Sequence, residues 1–536
     1  MGSLQAVQTV FLLLLVIVGG FAIIARRIKV AYPIVLVIGG LAISFVPHIP
    51  RIRLDPQLIF LIILPPLLYS SAWTMSWREF RYNLVTIMLL AVGLVAFTVW
   101  GVAEFSDRFI TALDWKSGFL LGAVVSTTDA IAATSIAKTL GLPRSVVDIL
   151  EGESLVNDAT GLLALEFGLA MLLRDEAPSV GGGLLRLAYL IVVGVIVGLL
   201  VGMLANWIEK FVEDGPIELM LSLVVPYAAY LAGEHLNASG VLAVVACGLY
   251  MSRKSATFFS PAARIQVEGV WDALTFILNG IVFVLIGLQL PYVLAGIRGM
   301  SWQTLALYGA LFSAMLIVLR LVWMFPAAKL AYLIQRRIPG HNEPAPSARG
   351  VFVIGWTGMR GVLALAAAFS LPETLGNGQP FAARNLIVFL AFCVILVTLV
   401  LQGLTLPALI RGLGLARKNV GMEPEECAAR RVVLGEAIAF LEEEKQAGGE
   451  RFEHAYDDLL HRYQHRLAAV GGEVAEDGLD AGTYGRLRAA AAGAIRVERR
   501  AMIRLRSEGV IGDDVLRTLQ KELDLAESRY EAIEGR

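Results

Sequence analysis

The sequence predicts an all-α polytopic membrane protein with thirteen transmembrane helices and a cytoplasmic helical tail. Of its 536 residues, 57% are hydrophobic and only 17% are charged, whereas soluble proteins carry about 25% charged residues. The mean hydropathy is +0.68. Long apolar runs continue to about residue 410, and a strongly charged segment follows them. The composition therefore excludes an ordinary soluble globular protein.

Thirteen apolar runs are candidate transmembrane helices, which need about 20 mostly apolar residues, and the ninth of them is short. The first run lacks the charged segment that precedes the apolar core of a signal peptide, so we interpret it as a spanning helix. The predicted spans are 8–25, 30–47, 54–72, 83–103, 115–138, 145–173, 184–212, 216–235, 239–252, 266–293, 302–333, 349–371 and 384–410.

Basic residues are concentrated in the loops that lie on the same side of the membrane as the C-terminal tail. They include Arg26, Arg27, Lys29, Arg253, Lys254, Arg336, Arg337, Arg417 and Lys418. Cytoplasmic loops carry an excess of Lys and Arg. The sequence therefore predicts a protein of the cell membrane with its N-terminus outside and its C-terminus in the cytoplasm.

The charge changes sign near residue 420, and this change predicts a domain boundary. Residues 1–420 carry 28 Lys and Arg and 22 Asp and Glu, a net charge of +6, whereas residues 421–536 carry 17 and 24, a net charge of −7. In the second segment Arg and Glu recur at helical spacing, which is typical of solvated helices. We expect a membrane domain over 1–420 and a cytoplasmic helical domain over 421–536, for which no motif indicates a partner or regulator.

Neither the cysteines nor the charge pattern predicts a resident cofactor. Cys247, Cys393 and Cys427 are far apart and show no spacing typical of a disulfide framework or a metal site. We expect no cofactor, no nucleic-acid partner and membrane lipid as the surroundings.

Polar and charged residues within the apolar runs mark the candidate functional site. A charge near the middle of the bilayer costs at least about 2.5 kcal/mol, so such residues are functional by default. The fifth span contains Thr128 and Asp129, and the sixth contains the stretch "GESLVND". The eleventh and twelfth spans contain Arg320 and Arg360.

Spacing divides the polar residues of the sixth span into two stripes. Ser154 and Asp158 are four residues apart and share a helix face, and this pair of oxygen donors suits a hard cation or a proton. Glu153 and Asn157 form the neighbouring stripe, which suits a structural partner such as arginine. The alternative is a buried hydrogen-bonded network without a role in transport.

The fifth and twelfth spans each contain residues that favour an interruption of the helix. Ser126–Asp129 is a run of residues that prefer helix caps to helix interiors, and Gly355, Gly358 and Gly361 surround Arg360. Asp129 could cap the N-terminus of a half-helix, while Arg360 could offset the partial charge of a C-terminus. The fifth span is the fifth of the first six spans, and the twelfth span is the fifth of the last six, with the seventh span as connector. This placement is expected for inverted repeats.

The motifs "LPPLLYSSAW", "STTDAIAATS", "GESLVNDATG" and "WTGMRGVLALAAA" resemble those of the first family of monovalent cation:proton antiporters. This family includes bacterial and archaeal sodium/proton antiporters and animal sodium/proton exchangers, and the resemblance covers residues 8–411. It implies two inverted six-helix repeats with crossing, broken fifth and twelfth helices. Helices 1–3 and 8–10 would form the dimerisation part of a homodimer, and helices 4–6 and 11–13 would form a moving core.

The resemblance also implies roles for the polar residues. Asp158 would hold the proton and the cation in turn, and Asn157 stands where electrogenic relatives have a second aspartate. Glu153 would pair with Arg320 or, less readily, with Arg360. The further ligands of the cation would be Ser154, the carbonyl of Thr128, and Asp129.

One position departs from the pattern of the family. Many members carry an acidic residue where this chain has Ser70. A hydroxyl is a weaker sodium ligand than a carboxylate, so Ser70 is at most an accessory ligand. Its presence leaves the choice between Na+ and K+ open.

The resemblance implies a secondary active transporter, not an enzyme, that serves pH homeostasis. We expect exchange of Na+ or Li+ for H+ by alternating access, electroneutral at one to one, with the two ions competing for Asp158. A K+/H+ antiporter of the same fold is the alternative. A cation channel and an intramembrane aspartyl protease are alternatives from other classes, although the chain shows neither a repeated filter nor a G-x-G-D motif.

Overall fold

The computed structural model describes residues 2–46, 55–173, 180–212, 214–258, 261–297, 300–338, 346–375, 379–416 and 424–448, and scattered positions between 456 and 525. Apart from one isolated bridge between Thr374 and Pro380, the regular structure in these residues is helical. The predicted all-α class is therefore confirmed.

In the first part of the chain, two transmembrane helices contain a π-helical turn. The turn at Ile59–Ile63 joins α3 to α4, and the turn at Leu89–Leu94 joins α6 to α7. The first of these wide turns directly precedes Pro65 and Pro66, which cannot donate backbone hydrogen bonds. The helices are α1 (Gly2–Ile28), α2 (Tyr32–Ser44), α3 (Pro56–Leu58), α4 (Leu64–Thr74), α5 (Trp77–Tyr82), α6 (Leu84–Met88), α7 (Val95–Phe109), α8 (Trp115–Ser126), α9 (Ile131–Thr139) and α10 (Arg144–Leu173).

The remaining helices include the longest in the described chain. They are α11 (Val180–Glu209), α12 (Gly215–His235), α13 (Gly240–Phe258), α14 (Pro261–Leu288), α15 (Leu290–Ala295), α16 (Trp302–Gln335), α17 (Ala348–Trp356), α18 (Val362–Phe369), α19 (Arg384–Val397), α20 (Gly403–Gly412) and α21 (Pro424–Gly448). A third π-helical turn, Thr398–Gln402, joins α19 to α20.

Ten helical stretches among the described residues are long and apolar enough to cross a membrane. Three further predicted spans correspond to other helices. The second is the 13-residue helix α2, the ninth is α13, and the twelfth is divided between α17 and α18. The total of thirteen transmembrane helices and the inverted repeat remain predictions.

Glycines allow α11 and α13 to pack with their backbones in contact. Gly194, Gly198 and Gly202 recur at every fourth position of α11, as in the small-residue interfaces of membrane helices. A Cβ atom at Gly198 would lie 2.1 Å from the carbonyl oxygen of Ala243. The stretch Gly194–Gly202 therefore fixes α11 against α13 at a distance that no larger residue allows.

The chain divides into two compact units, Met1–Lys418 and Asn419–Arg536. In the second unit, Leu434 and Leu441 are buried on one face of α21, while Val433 and Phe440 are exposed. The later tail helices that the sequence indicates lie largely outside the described residues. The division of the membrane unit into a dimerisation part and a moving core remains a prediction.

Candidate ion-binding site

In the described residues, the fifth and the twelfth predicted spans are each divided into two helices. Residues 127–130 separate α8 from α9, and residues 357–361 separate α17 from α18. At such ends, the first N–H groups and the last carbonyl groups have no partner within the helix. Both interruptions therefore supply backbone groups for contacts with other segments or with an ion.

The two interruptions contact each other directly. The backbone N–H of Asp129 donates to the carbonyl oxygen of Met359 at 2.8 Å. In return, the Nε of Arg360 donates to the carbonyl oxygen of Val125, close to the end of α8, at 3.0 Å. A guanidinium is favourable there because the C-terminus of a helix carries partial negative charge.

Asp129 is fixed between the start of α9 and Gly361. Its Oδ1 accepts a hydrogen bond from the backbone N–H of Ile131, the first residue of α9, at 2.8 Å. A Cβ atom at position 361 would lie 2.2 Å from the Oδ2 of Asp129. The crossing therefore requires glycine at position 361, because any side chain would displace this carboxylate.

Helix α10 brings the first polar stripe to the interruption at Thr128. The Oγ of Ser154 donates to the carbonyl oxygen of Thr128 at 2.9 Å. Asp158 lies one turn further along α10 and is 7% exposed. No described residue donates a hydrogen bond to the Asp158 carboxylate, so both of its oxygens are available to a proton or an ion.

The second stripe of α10 contacts helix α16 and, through it, the end of α17. The two Glu153 carboxylate oxygens accept hydrogen bonds from Arg320 Nη1 and Nη2 at 2.5 and 2.9 Å, and both side chains are 1% exposed. Arg320 Nε also donates to the carbonyl oxygen of Gly355 at 3.1 Å. The structure therefore pairs Glu153 with Arg320, while Arg360 contacts backbone carbonyls.

The hydroxyl of Thr128 connects the two stripes. It donates to Glu153 Oε1 at 3.2 Å and accepts a hydrogen bond from the Nδ2 of Asn157 at 2.5 Å. Because this hydroxyl is engaged on both sides, the side chain of Thr128 is held between Glu153 and Asn157.

A cavity of about 100 Å³ adjoins these residues. It lies between α4, α9, α10, α18 and the interruption that follows α8. Its polar lining residues carry only oxygen donors, and they are Ser71, Thr127, Thr128, Asp129, Thr134, Glu151, Ser154 and Asp158. Oxygen donors suit hard cations, so the cavity is a candidate site for an alkali-metal ion.

Ser70 is not among the residues that line this cavity. Its Oγ accepts a hydrogen bond from the Oγ1 of Thr275, on α14, at 3.1 Å. The next residue, Ser71, lines the cavity instead. The hydroxyl that α4 offers to the cavity is thus one position later than the sequence suggests.

Sequence reasoning did not single out Ser71, Thr134 and Glu151 as lining residues. Glu151 forms an ion pair with Lys138 at 2.9 Å. One signal was available, because Glu151, Ser154 and Asp158 are spaced by three and four residues and share one face of α10. No comparable spacing connects Ser71 or Thr134 to the motif.

The family of the chain follows from comparison with known proteins. The model of the family "sodium/hydrogen exchanger, transmembrane" matches residues 11–412. The chain belongs to this family. Its members are transporters and not enzymes, and membership favours the monovalent cation:proton antiporter over the channel and protease alternatives.

Several bacterial relatives of this sodium/hydrogen exchanger match most of its length. An uncharacterized Na+/H+ exchanger of Mycobacterium bovis is 31% identical over 97% of this chain and 95% of its own. The Na+/H+ antiporter ApNhaP of Aphanothece halophytica is 30% identical over 77% and 75%. The sodium, potassium, lithium and rubidium/H+ antiporter of Bacillus subtilis is 31% identical over 75% and 61%.

The fold is also similar to that of a solved antiporter. The sodium proton antiporter MjNhaP1 of Methanocaldococcus jannaschii superposes with a TM-score of 0.59 at 21% identity, over 78% of this chain and all of the other. At this level of identity the likeness shows the fold of the exchanger and does not extend to its ion.

Proposed function

We propose that this exchanger transports Na+ or Li+ in exchange for H+ at Asp158, by alternating access. One observation carries the proposal. The Asp158 carboxylate, which accepts no hydrogen bond from the described residues, lines a small cavity of oxygen donors beside the two crossed interruptions. Such interruptions at the binding site are a common feature of secondary transporters.

The proposed cation ligands are groups that the structure brings to one cavity. They are the carboxylates of Asp158 and Asp129, the hydroxyl of Ser154 and the carbonyl of Thr128, in part through water. Ser154 already contacts the Thr128 carbonyl. A cation bound at Asp158 would therefore meet these oxygens with little rearrangement of α10.

Competition between H+ and the cation explains exchange. Removing a carboxylate from water disfavours its charged form, and either a proton or a cation relieves that cost. If the empty, ionised site is too unfavourable to move across the membrane, only the loaded forms cross. Exchange follows without any direct contact between the two transported ions.

The stoichiometry follows from Asn157, which does not titrate. Its amide donates to the hydroxyl of Thr128 and so occupies a structural position on the second stripe. With one variable charge at Asp158, the proposal is one H+ for one Na+. The cycle then moves no net charge and is driven by the two ion gradients alone.

A K+/H+ exchange is the second candidate, and the position of Ser70 favours it. Ser70 contacts Thr275 and supplies no ligand to the cavity, so the strongest α4 ligand of many relatives is missing. One similar protein, from Bacillus subtilis, is an antiporter of sodium, potassium, lithium and rubidium. A site with fewer carboxylates would discriminate less between Na+ and K+.

We further infer the orientation and the assembly. Lys and Arg are more frequent in the loops on the side of the tail, which predicts that the tail and the loop between α9 and α10 lie in the cytoplasm. The cavity includes Glu151 and Thr134, towards that loop, so the conformation would be open to the inside. A homodimer in the cell membrane that regulates cytoplasmic pH is consistent with the family.

The test uses purified protein in proteoliposomes that contain a pH-sensitive dye. Na+, Li+ and K+ are added in turn, with and without a voltage clamp by K+ and valinomycin. We expect H+ movement with Na+ and Li+ at a rate that is independent of voltage. A rate that changes with voltage would contradict the one-to-one stoichiometry.

Asp158→Asn is expected to abolish exchange, because the amide cannot bind a proton. Asp107→Asn is the matched control, because Asp107 is an exposed aspartate on α7 outside the cavity, and it should exchange at the native rate. Size-exclusion chromatography should show that both variants are folded. Retained ΔpH-driven Na+ uptake by Asp158→Asn would rule out the proposed site.

A further inference from the structure

We propose that a second cavity, of about 300 Å³, holds an acyl chain of an anionic phospholipid whose headgroup binds Arg253. The cavity lies between α5, α6, α10, α11 and α13. It is separate from the ion site, and none of its lining residues belongs to the proposed ligand set.

The lining of this cavity is suited to hydrocarbon. Arg253 is the only charged residue of the lining. The other lining residues have aliphatic or aromatic side chains, apart from Met88, which has a thioether. An apolar cavity offers water too few hydrogen-bond partners to fill it. In a bilayer, the abundant apolar molecule that can fill it is a lipid chain.

The length of the cavity matches one leaflet of the membrane. Leu242, Ala246, Leu249 and Arg253 line it from a single face of α13. At 1.5 Å per residue, this stripe extends about 16 Å along the helix. Half of a hydrocarbon core is about 15 Å thick, so the cavity is long enough to hold one acyl chain.

One end of the cavity has the features of a membrane–water interface. The Oγ of Ser252 donates to the carbonyl oxygen of Trp73 at 2.6 Å, which connects the Arg253 end of α13 to the end of α4, just before α5. Trp77, at the start of α5, lines the cavity and is 43% exposed. Tryptophan is enriched at the headgroup level.

Charge at that end selects an anionic headgroup. Arg253 is exposed and has no ion-pair partner among the described residues. Basic residues next to the membrane attract anionic lipids by about 1 kcal/mol each. A phosphate with further negative charge nearby, as in phosphatidylglycerol, is therefore preferred over a zwitterionic headgroup.

The cavity is accessible from the surrounding lipid. Leu84 is 39% exposed at its edge, whereas Val245 and Leu249, deeper inside, are 4% and 6% exposed. A chain that enters beside Leu84 would be in contact with α10 through Val156, two residues from Asp158. The bound lipid would thus join α10 to α11 and α13.

Native mass spectrometry of the full-length protein tests the preference for anionic lipid. Phosphatidylglycerol should bind about fivefold more tightly than phosphatidylcholine, the factor that corresponds to one basic residue at an anionic surface. Arg253→Gln should reduce this preference to none, and the matched control Arg337→Gln, also an exposed arginine, should keep it. Equal binding of both lipids to the native protein would overturn the proposal.

Photo-cross-linking locates the lipid. Phosphatidylglycerol with a diazirine in its acyl chain should label peptides from α11 and α13. Ala246→Phe, which fills the middle of the cavity, should remove that label, and Val192→Phe, on an exposed position of α11, should not. Labels only elsewhere, or a cavity covered by a second copy of the chain, would contradict the proposal. If Ala246→Phe does not fold, the lipid preference of Arg253→Gln still tests the proposal. Because both assays measure lipid binding and not ion transport, their outcome does not depend on the proposed exchange activity.

Discussion

Glu153 and Glu209 are both 1% exposed, but their surroundings differ. Glu153 forms two hydrogen bonds with Arg320. Neither carboxylate oxygen of Glu209 has a hydrogen-bond partner among the described residues, and Glu218 is near enough to repel it electrostatically. A buried charge is tolerated when it is paired and is costly when it is not, so the two carboxylates should respond oppositely to replacement.

Replacement of Glu153 by alanine should destabilise the protein. The change leaves the buried guanidinium of Arg320 without its carboxylate, which costs about 3–5 kcal/mol. We expect a lower melting temperature in a fluorescence-based thermal unfolding assay in detergent. A melting temperature equal to that of the native protein would show that the ion pair does not stabilise the core.

Replacement of Glu209 by glutamine should preserve or raise the melting temperature in the same assay. The change removes a buried charge and its repulsion by Glu218 while it keeps the size of the side chain. A large loss of stability would mean that Glu209 forms a favourable contact with a group outside the described residues. The opposite shifts of Glu153→Ala and Glu209→Gln form one internally controlled comparison.

At the level of helices, the crossing of the two interruptions depends on short backbone distances. Asp129 N–H donates to Met359, Arg360 contacts Val125, and Gly361 lies against the Asp129 carboxylate. Each interruption thus provides partners for the free backbone groups of the other. Without the other, neither interruption would have hydrogen-bond partners for its free backbone groups within the membrane.

Gly361→Ala should reduce the rate of exchange by about tenfold or more, because a displacement of a site residue by about 1 Å is enough to lower the rate strongly. The new methyl group would occupy the position of the Asp129 carboxylate. Gly269→Ala is the control, since a Cβ atom there meets nothing within 4 Å, and it should exchange normally in proteoliposomes. Native activity of Gly361→Ala would show that the crossing tolerates movement of Asp129.

For the molecule as a whole, competition at one carboxylate has a measurable consequence. H+ and Na+ would exclude each other from Asp158, so the Na+ concentration that gives half-maximal exchange should fall as the pH rises. The maximal rate at saturating Na+ should change little, because Na+ displaces H+ completely. The assay is dye-based exchange across a series of pH values at several Na+ concentrations. A maximal rate that changes while the half-saturating concentration stays constant would indicate that H+ acts at a separate site.

The membrane character, the polar stripes of α10 and the interruptions in the fifth and twelfth spans could be predicted from the sequence. These features are local, because apolar length, four-residue spacing and residues that favour caps are properties of short segments. The same patterns separated Ser154 and Asp158 from Glu153 and Asn157 before any contact was known. The helix face of Glu151 could also have been read from its spacing.

Which segments contact one another could not be predicted from the sequence and became known from the packing of the helices. Glu153 pairs with Arg320, and Gly361 lies against Asp129, although these partners are far apart in the chain. Similarly, the packing of α4 against distant helices places Ser71 and not Ser70 at the cavity. Periodicity assigns a residue to a face of its own helix, but the rotation and depth of neighbouring helices come from packing, as the glycines of α11 show. The chemical character of each helix is therefore a property of its local sequence, whereas the packing of the helices determines which side chains share a cavity.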